Sequence, residues 1–263
     1  MNLHQHLRQR IAEGRKLLVP YVCAGFPSED RTLAVLEALA DAGADAIELG
    51  IPFSDPLMDG PVIQAAASRA LAQGMTLPKA LALAKAFTAR RSTPLLLMSS
   101  LNPLLRMGPE AFARRSREAG ITGCIIPDLP PESRYLLPGA PPLVQLVAPN
   151  TPATRLQELV RQDPPFLYGV SVFGVTGTRS ALADYTLPFL LRTKAATDVP
   201  LLAGFGVSTP EQAREVAEAC DGVIIGSALL RALEGAGDPA AAARRFLEPF
   251  REALGALALQ SQG

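Results

Sequence analysis

Eight short apolar segments, separated by stretches with helical periodicity, constrain the fold of this chain more than any other feature. Each segment shows little polar alternation, which is typical of parallel strands that are buried on both faces. The segments are Leu17–Val22, Ala46–Leu49, Leu95–Met98, Gly123–Ile126, Leu143–Ala148, Phe166–Val172, Val199–Ala203 and Gly222–Ile225. This alternation predicts a closed barrel or a large doubly wound sheet.

Helix signals fill the stretches between these segments. Ser28–Ala42 carries leucines on one stripe and is followed by Gly43, a typical stop. Pro210–Cys220 opens with Thr209, a capping residue, and then a proline and an acidic first turn. Between the fourth and fifth strands, however, residues 129–142 contain five prolines. Because proline disrupts helices, we expect the fourth helix to be shortened or replaced by a loop.

The barrel is the favoured of the two architectures. No G-x-G-x-x-G motif follows the first strand, Gly204-Phe205-Gly206 matches it only in part, and no Walker A sequence occurs. A length of 263 residues also fits a barrel, which needs roughly 250. We therefore predict an α/β fold in which residues 1–263 form one domain. This domain would be a single (β/α)8 TIM barrel with parallel strands and outer helices.

Composition narrows the function. The chain has 25 basic and 25 acidic residues, which argues against a general binder of nucleic acid or anionic membranes. We expect a soluble, cytoplasmic protein, because no secretory leader or membrane span is evident. The cysteines are isolated and odd in number, which predicts neither a disulfide framework nor a structural zinc site. The two histidines, His4 and His6, lie in a polar N-terminal segment, so acid–base chemistry would need a carboxylate.

Two carboxylates near the second strand are candidates, because barrel active sites lie at the carboxyl ends of the strands. Glu48 interrupts an apolar strand end, where burial would raise its pKa. The alternatives are a structural salt bridge or an outward-facing residue. Asp59 follows a proline-stiffened loop and precedes Gly60-Pro61, so it could equally cap the next helix.

Glycines after strands six, seven and eight indicate a phosphate site. They are Gly174 and Gly177, Gly204 and Gly206, and Gly226 before Ser227. Backbone N–H groups of such loops commonly bind phosphate in this fold. Ordinary tight turns are the alternative at each loop taken singly, but glycine at all three favours the phosphate site.

Several of these segments together resemble the tryptophan synthase α subunit family. The resemblance runs in order from about Leu18 to Leu230. The segments that carry it are Val19-Pro20-Tyr21, Ala44–Gly50, Pro52-Phe53-Ser54-Asp55-Pro56, Asp59-Gly60-Pro61, Gly174-Val175-Thr176-Gly177 and Gly204-Phe205-Gly206. The long Pro-Phe-Ser-Asp-Pro…Asp-Gly-Pro pattern is highly specific.

The resemblance implies a lyase that cleaves indole-3-glycerol phosphate to indole and D-glyceraldehyde 3-phosphate by a retro-aldol reaction. It implies a partner, the β subunit, in an α2β2 tetramer, to which indole passes through a tunnel for tryptophan synthesis. Pyridoxal phosphate belongs to the β subunit, and this chain is expected to need no cofactor or metal.

The resemblance also implies roles for individual residues. Glu48 is expected to shuttle protons and Asp59 to hold charge at the indole nitrogen. Backbone groups near Gly177, Gly206, Gly226 and Ser227 are expected to bind the phosphate. The residues expected to wall the indole are Tyr21, Ile125, Tyr168 and Phe205. Thr176 is expected to contact Asp59 from a lid, and Asp55 and Pro56 to face the β subunit.

Three departures from the family pattern affect the surroundings of the site. Ser100-Leu101 stands where the family often has a tyrosine pair, so an aromatic wall residue is expected to be missing. Phe173 replaces a threonine that is common in the lid. The proline-rich segment 129–142 lies on the side that touches the β subunit in the family, so we expect an altered fit there.

Two other functions are weaker. A sugar-phosphate isomerase barrel would need acids at the ends of strands one and five, where the sequence reads Val22-Cys23-Ala24 and Val147-Ala148-Pro149. A barrel that binds a partner without doing chemistry would not need both Glu48 and Asp59.

Overall fold

The computed structural model describes residues 2–56, 59–170, 185–204 and 206–260, with side chains through residue 257. Its strands are β1 (Leu17–Cys23), β2 (Ile47–Gly50), β3 (Leu95–Met98), β4 (Ile121–Ile125), β5 (Gln145–Val147), β6 (Leu167–Val170), β7 (Leu201–Gly204) and β8 (Gly222–Ile225). Its α-helices are α1 (Leu3–Ala12), α2 (Glu29–Asp41), α3 (Pro61–Ala72), α4 (Leu77–Thr88), α5 (Leu101–Met107), α6 (Pro109–Glu118), α7 (Ala153–Val160), α8 (Thr186–Ala195), α9 (Pro210–Glu218), α10 (Ser227–Leu233) and α11 (Pro239–Gln260).

The strands form one parallel sheet in the order β4-β3-β2-β1-β8-β7-β6-β5. The two outer strands meet through a single parallel bridge between Cys124 and Leu143. Pro142 lacks an N–H group, but its carbonyl accepts a hydrogen bond from the Cys124 N–H at 2.8 Å. The sheet is therefore nearly closed, and the predicted (β/α)8 barrel is confirmed.

Alternation along each strand divides the apolar side chains into two layers. In β2 and the residue before it, Ala46 joins an interior cluster with Val19 and Leu96, whereas Ile47 and Leu49 join the layer beneath the helices. Both layers are apolar, so the strands appear in the sequence as continuous hydrophobic segments. The same alternation turns Glu48 toward the barrel interior.

Helix α1 covers the amino end of the barrel. Leu3 and Leu7 are buried and pack into the interior cluster, and Asn2 caps the helix by accepting from the His4 N–H at 3.0 Å. His6 Nε2 lies 2.9 Å from the Asp45 carbonyl oxygen. Both histidines are partly buried at this end of the barrel, whereas the candidate carboxylates belong to the opposite end. The histidines are therefore apart from the candidate site.

The proline-rich segment between β4 and β5 forms a short 3₁₀ helix at Pro131–Leu136. It stands where a barrel would have the α-helix that follows its fourth strand, as predicted. The strand limits differ slightly from those expected. Strand β5 begins at Gln145, because Pro141 and Pro142 donate no hydrogen bonds to a ladder. For β6, residues 171 and 172 of the predicted strand lie outside the described residues. Within the part of the chain that the structure describes, no helix has the length and apolar character needed to span a membrane.

A buried carboxylate links several elements at the amino end of the barrel. Asp45 is 1% exposed and accepts from the Leu18 N–H at 2.9 Å and from Arg251 Nη1 of α11 at 2.9 Å. Arg15 lies 3.1 Å away, and Arg10 of α1 lies 3.7 Å away. This one side chain therefore connects α1, β1 and α11 to the start of β2.

We expect Asp45→Asn to lower the free energy of unfolding by about 3 kcal/mol, because it leaves three arginines beside a site without charge. Urea denaturation at neutral pH measures this loss. Asp41→Asn is a matched control, because Asp41 pairs with Arg91 and Arg244 at the surface, where such pairs contribute less than about 1 kcal/mol. Equal losses in the two variants would contradict a special role for Asp45.

Candidate active site

Strand β2 places Glu48 at the carboxyl end of the barrel, facing inward. Glu48 lies beside Tyr21 of β1 and Leu96 of β3 in the parallel register. The residue is 1% exposed, and among the described residues neither carboxyl oxygen has a hydrogen-bond partner. The outward orientation is therefore wrong, and among the described residues Glu48 forms no salt bridge.

Burial raises the pKa of Glu48 from its usual 4.5 to about 8. Desolvation disfavours the carboxylate, and no cation near the side chain compensates for that cost among the described residues. Glu48 is consequently protonated at neutral pH but close enough to its pKa to lose the proton. Such a group can both donate and accept a proton during one reaction cycle.

Asp59 provides the second carboxylate of the site. The loop after β2 returns toward the barrel, and Asp59 lines the same cleft as Glu48. The helix-cap alternative for Asp59 is wrong, because Gly60 is the N-cap of α3 and no side chain caps that helix. The backbone carbonyl of Asp59 accepts from Gln64 Nε2 at 2.8 Å, which anchors the residue to the first turn of α3. Partial burial raises the pKa of the Asp59 carboxyl above its usual value.

Two buried tyrosines flank the carboxylates, and each lies against a glycine at a strand end. A Cβ atom at Gly50 would overlap the Tyr21 hydroxyl, and one at Gly204 would overlap the Tyr168 ring. Burial raises the pKa of Tyr168, and the charges of Glu48 and Asp59 raise it further. Gly50 and Gly204 are therefore needed for close packing against these rings rather than for an unusual backbone conformation.

Two adjoining clefts open at this end of the barrel. The main cleft, about 590 Å³, is lined by residues that include Tyr21, Glu48, Asp59, Met98, Tyr168, Gly206, Ser208, Gly226, Ser227 and Arg231. The side cleft, about 430 Å³, is lined by residues that include Tyr21, Phe53, Pro56, Asp59, Met98, Ser99, Ser100 and Asp128. They share Tyr21, Asp59 and Met98, so Asp59 lies between them, whereas Glu48 belongs to the main cleft alone.

The glycine-rich loops after β7 and β8 also line the main cleft. Gly206 has a φ of +85°, a backbone conformation that favours glycine. Gly226 is the N-cap of α10 and Ser227 is its first residue, at the helix end where N–H groups have no acceptor within the helix. Three predicted contacts, Thr176, Gly177 and Phe205, lie outside the described residues, as does the substituted lid residue Phe173.

The other three predicted residues are Ile125, expected at the indole wall, and Asp55 and Pro56, expected at the partner interface. Ile125 is 1% exposed and belongs to the interior cluster, and it is not among the residues that line either cleft. Asp55 is exposed, and Pro56 is partly buried beside the side cleft. The Ser54 hydroxyl donates to Asp55 at 2.6 Å, which ties that carboxylate to its own loop.

Ser100 and Leu101, which stand where the family often has a tyrosine pair, lie in different surroundings. Ser100 lines the side cleft, whereas Leu101 is the first residue of α5. The Asp128 carboxylate accepts from the Leu101 N–H at 2.9 and 3.0 Å and so satisfies the start of that helix. The expected loss of an aromatic wall therefore applies at Ser100.

The sequence reasoning did not identify Met98, Ser208 and Arg231 as cleft residues. Met98 ends β3, so the rule that barrel sites lie at strand ends could have found it. Arg231 lies four residues after Ser227 on α10, a spacing that places both on one face of the helix. Among the described residues no group of three or more His, Cys, Asp or Glu side chains could hold a metal ion.

Comparisons with known proteins agree with this geometry. Residues 7–256 match the family model described as Tryptophan synthase alpha chain. The chain is 49% identical over 224 residues to the tryptophan synthase alpha chain of Phenylobacterium zucineum, covering 83% of this chain and 81% of that one. It is 41% identical over 262 residues to that of Picosynechococcus sp., covering 96% and 99%.

Solved structures show the same likeness. The crystal structure of a tryptophan synthase alpha chain from Legionella pneumophila superposes with a TM-score of 0.88 at 35% identity, covering 97% of this chain and 98% of that one. A structure of Mycobacterium tuberculosis tryptophan synthase gives a TM-score of 0.86 at 33% identity, covering 96% and 97%.

The raised pKa of Glu48 predicts a cost in stability that depends on pH. In the unfolded chain Glu48 ionises above about pH 4.5, whereas the folded chain keeps it protonated up to about pH 8. Folding takes up a proton within this window, so the wild type loses stability as the pH rises, by up to about 1.4 kcal/mol per pH unit. We expect Glu48→Gln to be more stable than the wild type at pH 8, with the difference vanishing below pH 4.5.

Urea denaturation from pH 4 to pH 8 measures this difference. Glu252→Gln is the control, because it makes the same replacement at an exposed position on α11, outside the barrel interior. A Glu48→Gln curve parallel to that of the wild type would contradict a buried, protonated carboxyl.

Proposed function

Because the chain belongs to the tryptophan synthase alpha chain family, a family of lyases, we propose that it cleaves indole-3-glycerol phosphate to indole and D-glyceraldehyde 3-phosphate. The observation that carries this proposal is a buried, protonated Glu48 that shares one cleft with a second carboxylate, Asp59. The retro-aldol reaction needs one proton delivered and one removed, together with a stabilised positive charge. These two side chains meet those needs.

Glu48 acts as acid and then as base. Its carboxyl group donates a proton to C3 of the indole, which leaves a positive charge on the ring nitrogen. The resulting carboxylate removes the proton from the hydroxyl on the adjacent side-chain carbon. The C–C bond then breaks, its electron pair returns to the indole ring, and the aldehyde forms. Glu48 ends the cycle protonated, as it began, which suits a pKa of about 8.

Asp59 has a different task. A carboxylate beside the ring nitrogen stabilises the charge that develops when C3 is protonated. The position of Asp59 between the two clefts supports this role, because an indole held there has its reacting carbon toward Glu48. The different burial of the two acids supports the division of labour, since the more deeply buried Glu48 holds its proton more strongly.

The ends of the substrate are assigned to different walls. Gly206, Gly226 and Ser227 supply backbone N–H groups and a hydroxyl for the phosphate, and the family resemblance adds Gly177. The aromatic side chains of Tyr21 and Tyr168 wall the ring, with Phe205 added by the resemblance. Ile125 supports this wall from the interior of the barrel. Thr176 would contact Asp59 from the lid.

The proposal includes a partner. A β subunit in an α2β2 tetramer would receive the indole, and it would carry the pyridoxal phosphate, whereas this chain uses no cofactor of its own. Asp55 and Pro56 are assigned to that interface, since their loop is partly exposed at the edge of the side cleft. The 3₁₀ helix that replaces the α-helix after β4 would alter the surface that contacts the β subunit.

Purified protein is expected to release indole from indole-3-glycerol phosphate, slowly alone and faster with a β subunit. Glu48→Gln should lower kcat by about 10²- to 10⁴-fold, because the proton shuttle is lost. Asp59→Asn should lower it by about 10²- to 10³-fold through lost charge stabilisation. Asp41→Asn, on the surface of α2, is the control and should retain the full rate. An unchanged rate in both active-site variants would refute the site assignment.

The order of the proton transfers predicts a pH profile. If Glu48 must be protonated before C3 is attacked, kcat/KM should fall as the pH rises through about 8. Steady-state indole release from pH 6 to pH 9.5 measures this limb. A value of kcat/KM that instead rises through pH 8 would show that the ionised carboxylate acts first.

A further inference from the structure

Arg231 is the one cation among the described residues that line the main cleft. We propose that its guanidinium binds the phosphate group of the substrate from α10, beyond the contacts assigned to glycine N–H groups and Ser227. This inference rests on the proposed function, because it assumes that a phosphate monoester occupies the end of the cleft beside Ser227. It makes Arg231 a binding residue rather than a catalytic one.

The charges in the main cleft favour this assignment. The acids that line the main cleft are Glu48 and Asp59, and a phosphate monoester carries up to two negative charges. N–H dipoles alone would have to offset the repulsion between this anion and Asp59. A full positive charge at the phosphate end supplies the missing attraction, as it commonly does where proteins recognise phosphate.

The position of Arg231 on α10 also favours the assignment. Ser227 and Arg231 are separated by four residues on α10, so their side chains project from the same face. Both line the main cleft, and Ser227 already belongs to its glycine-rich wall. An arginine side chain is long enough to reach an anion that lies over the preceding turn of its own helix.

The charge of Arg231 is available to bind an anion. Its side chain is exposed, and among the described residues it has no ion pair or side-chain hydrogen bond. Arg231 also borders a neighbouring groove, which it shares with Arg69 and Glu234. Glu234 is an acidic residue of that groove, yet it forms no ion pair with Arg231 within 4.0 Å. By contrast, arginines elsewhere on the surface, such as Arg91 and Arg155, are engaged with carboxylates.

The test compares Arg231→Gln and Arg231→Lys with the wild type. Steady-state indole release gives KM and kcat, and calorimetry gives the Kd of glycerol 3-phosphate, a phosphate monoester without the indole. Arg231→Gln should raise both KM and this Kd about two- to fivefold, the range expected for one exposed charge pair, with kcat changed less than about twofold. Arg231→Lys should recover part of the loss, since it keeps the charge without the paired donors.

Arg69→Gln is the matched control. Arg69 borders the neighbouring groove but not the main cleft, so its removal deletes an equivalent surface charge without touching the phosphate end. Raising the ionic strength from 0.05 to 0.5 M (values on the order used to screen surface charges) should weaken glycerol 3-phosphate binding more in the wild type than in Arg231→Gln. Binding of indole itself should be the same in all variants.

The outcomes separate the two proposals. If the wild type cleaves the substrate but Arg231→Gln leaves KM and the Kd of glycerol 3-phosphate unchanged, the assignment of Arg231 is wrong and the proposed function stands. An equal weakening in Arg69→Gln would also overturn it, because the effect would then be one of general surface charge. If the wild type fails to cleave the substrate, the proposed function itself is wrong.

Discussion

Among the described residues, the nearly closed parallel barrel leaves no compensating charge around an acidic side chain that points into its interior, and the candidate site depends on this constraint. Strand alternation makes every second residue of β2 face inward, and the inward neighbours of Glu48 are apolar or aromatic. Desolvation is therefore uncompensated, and the pKa rises to about 8. The same burial that gives stability to the barrel thus produces a proton donor near neutral pH.

Strand β2 shows how one element serves both ends of the barrel. Asp45 precedes the strand and Glu48 lies within it, three residues further along. Asp45 meets three arginines and a backbone N–H, which make it a link between elements. Glu48 has no such partner among the described residues. The linking carboxylate thus lies at the amino end and the candidate acid at the carboxyl end, which matches the usual division in this fold.

The glycines at the carboxyl end serve different physical purposes that sequence inspection treats alike. Gly50 and Gly204 make room for the rings of Tyr21 and Tyr168, and their backbone conformations are ordinary. Gly206 is required for its positive φ. Gly206 lines the main cleft together with the two tyrosines, Glu48, Asp59 and Arg231.

Much of this protein was determined by the sequence alone. The eight apolar segments predict parallel strands buried on both faces, and the chain length and the lack of a dinucleotide-binding motif favour a barrel over a doubly wound sheet. The prolines of 129–142 predict that the helix after the fourth strand is shortened or replaced. Glu48 and Asp59 could be named as candidates, but each had a structural alternative, since a sequence does not reveal what surrounds a side chain. Tertiary structure decided between them: among the described residues it buries Glu48 without a hydrogen-bond partner, and it assigns the cap of α3 to Gly60. It also moved Ile125 into the core and brought Met98 and Arg231 into the cleft, because these locations depend on how distant strands and helices pack.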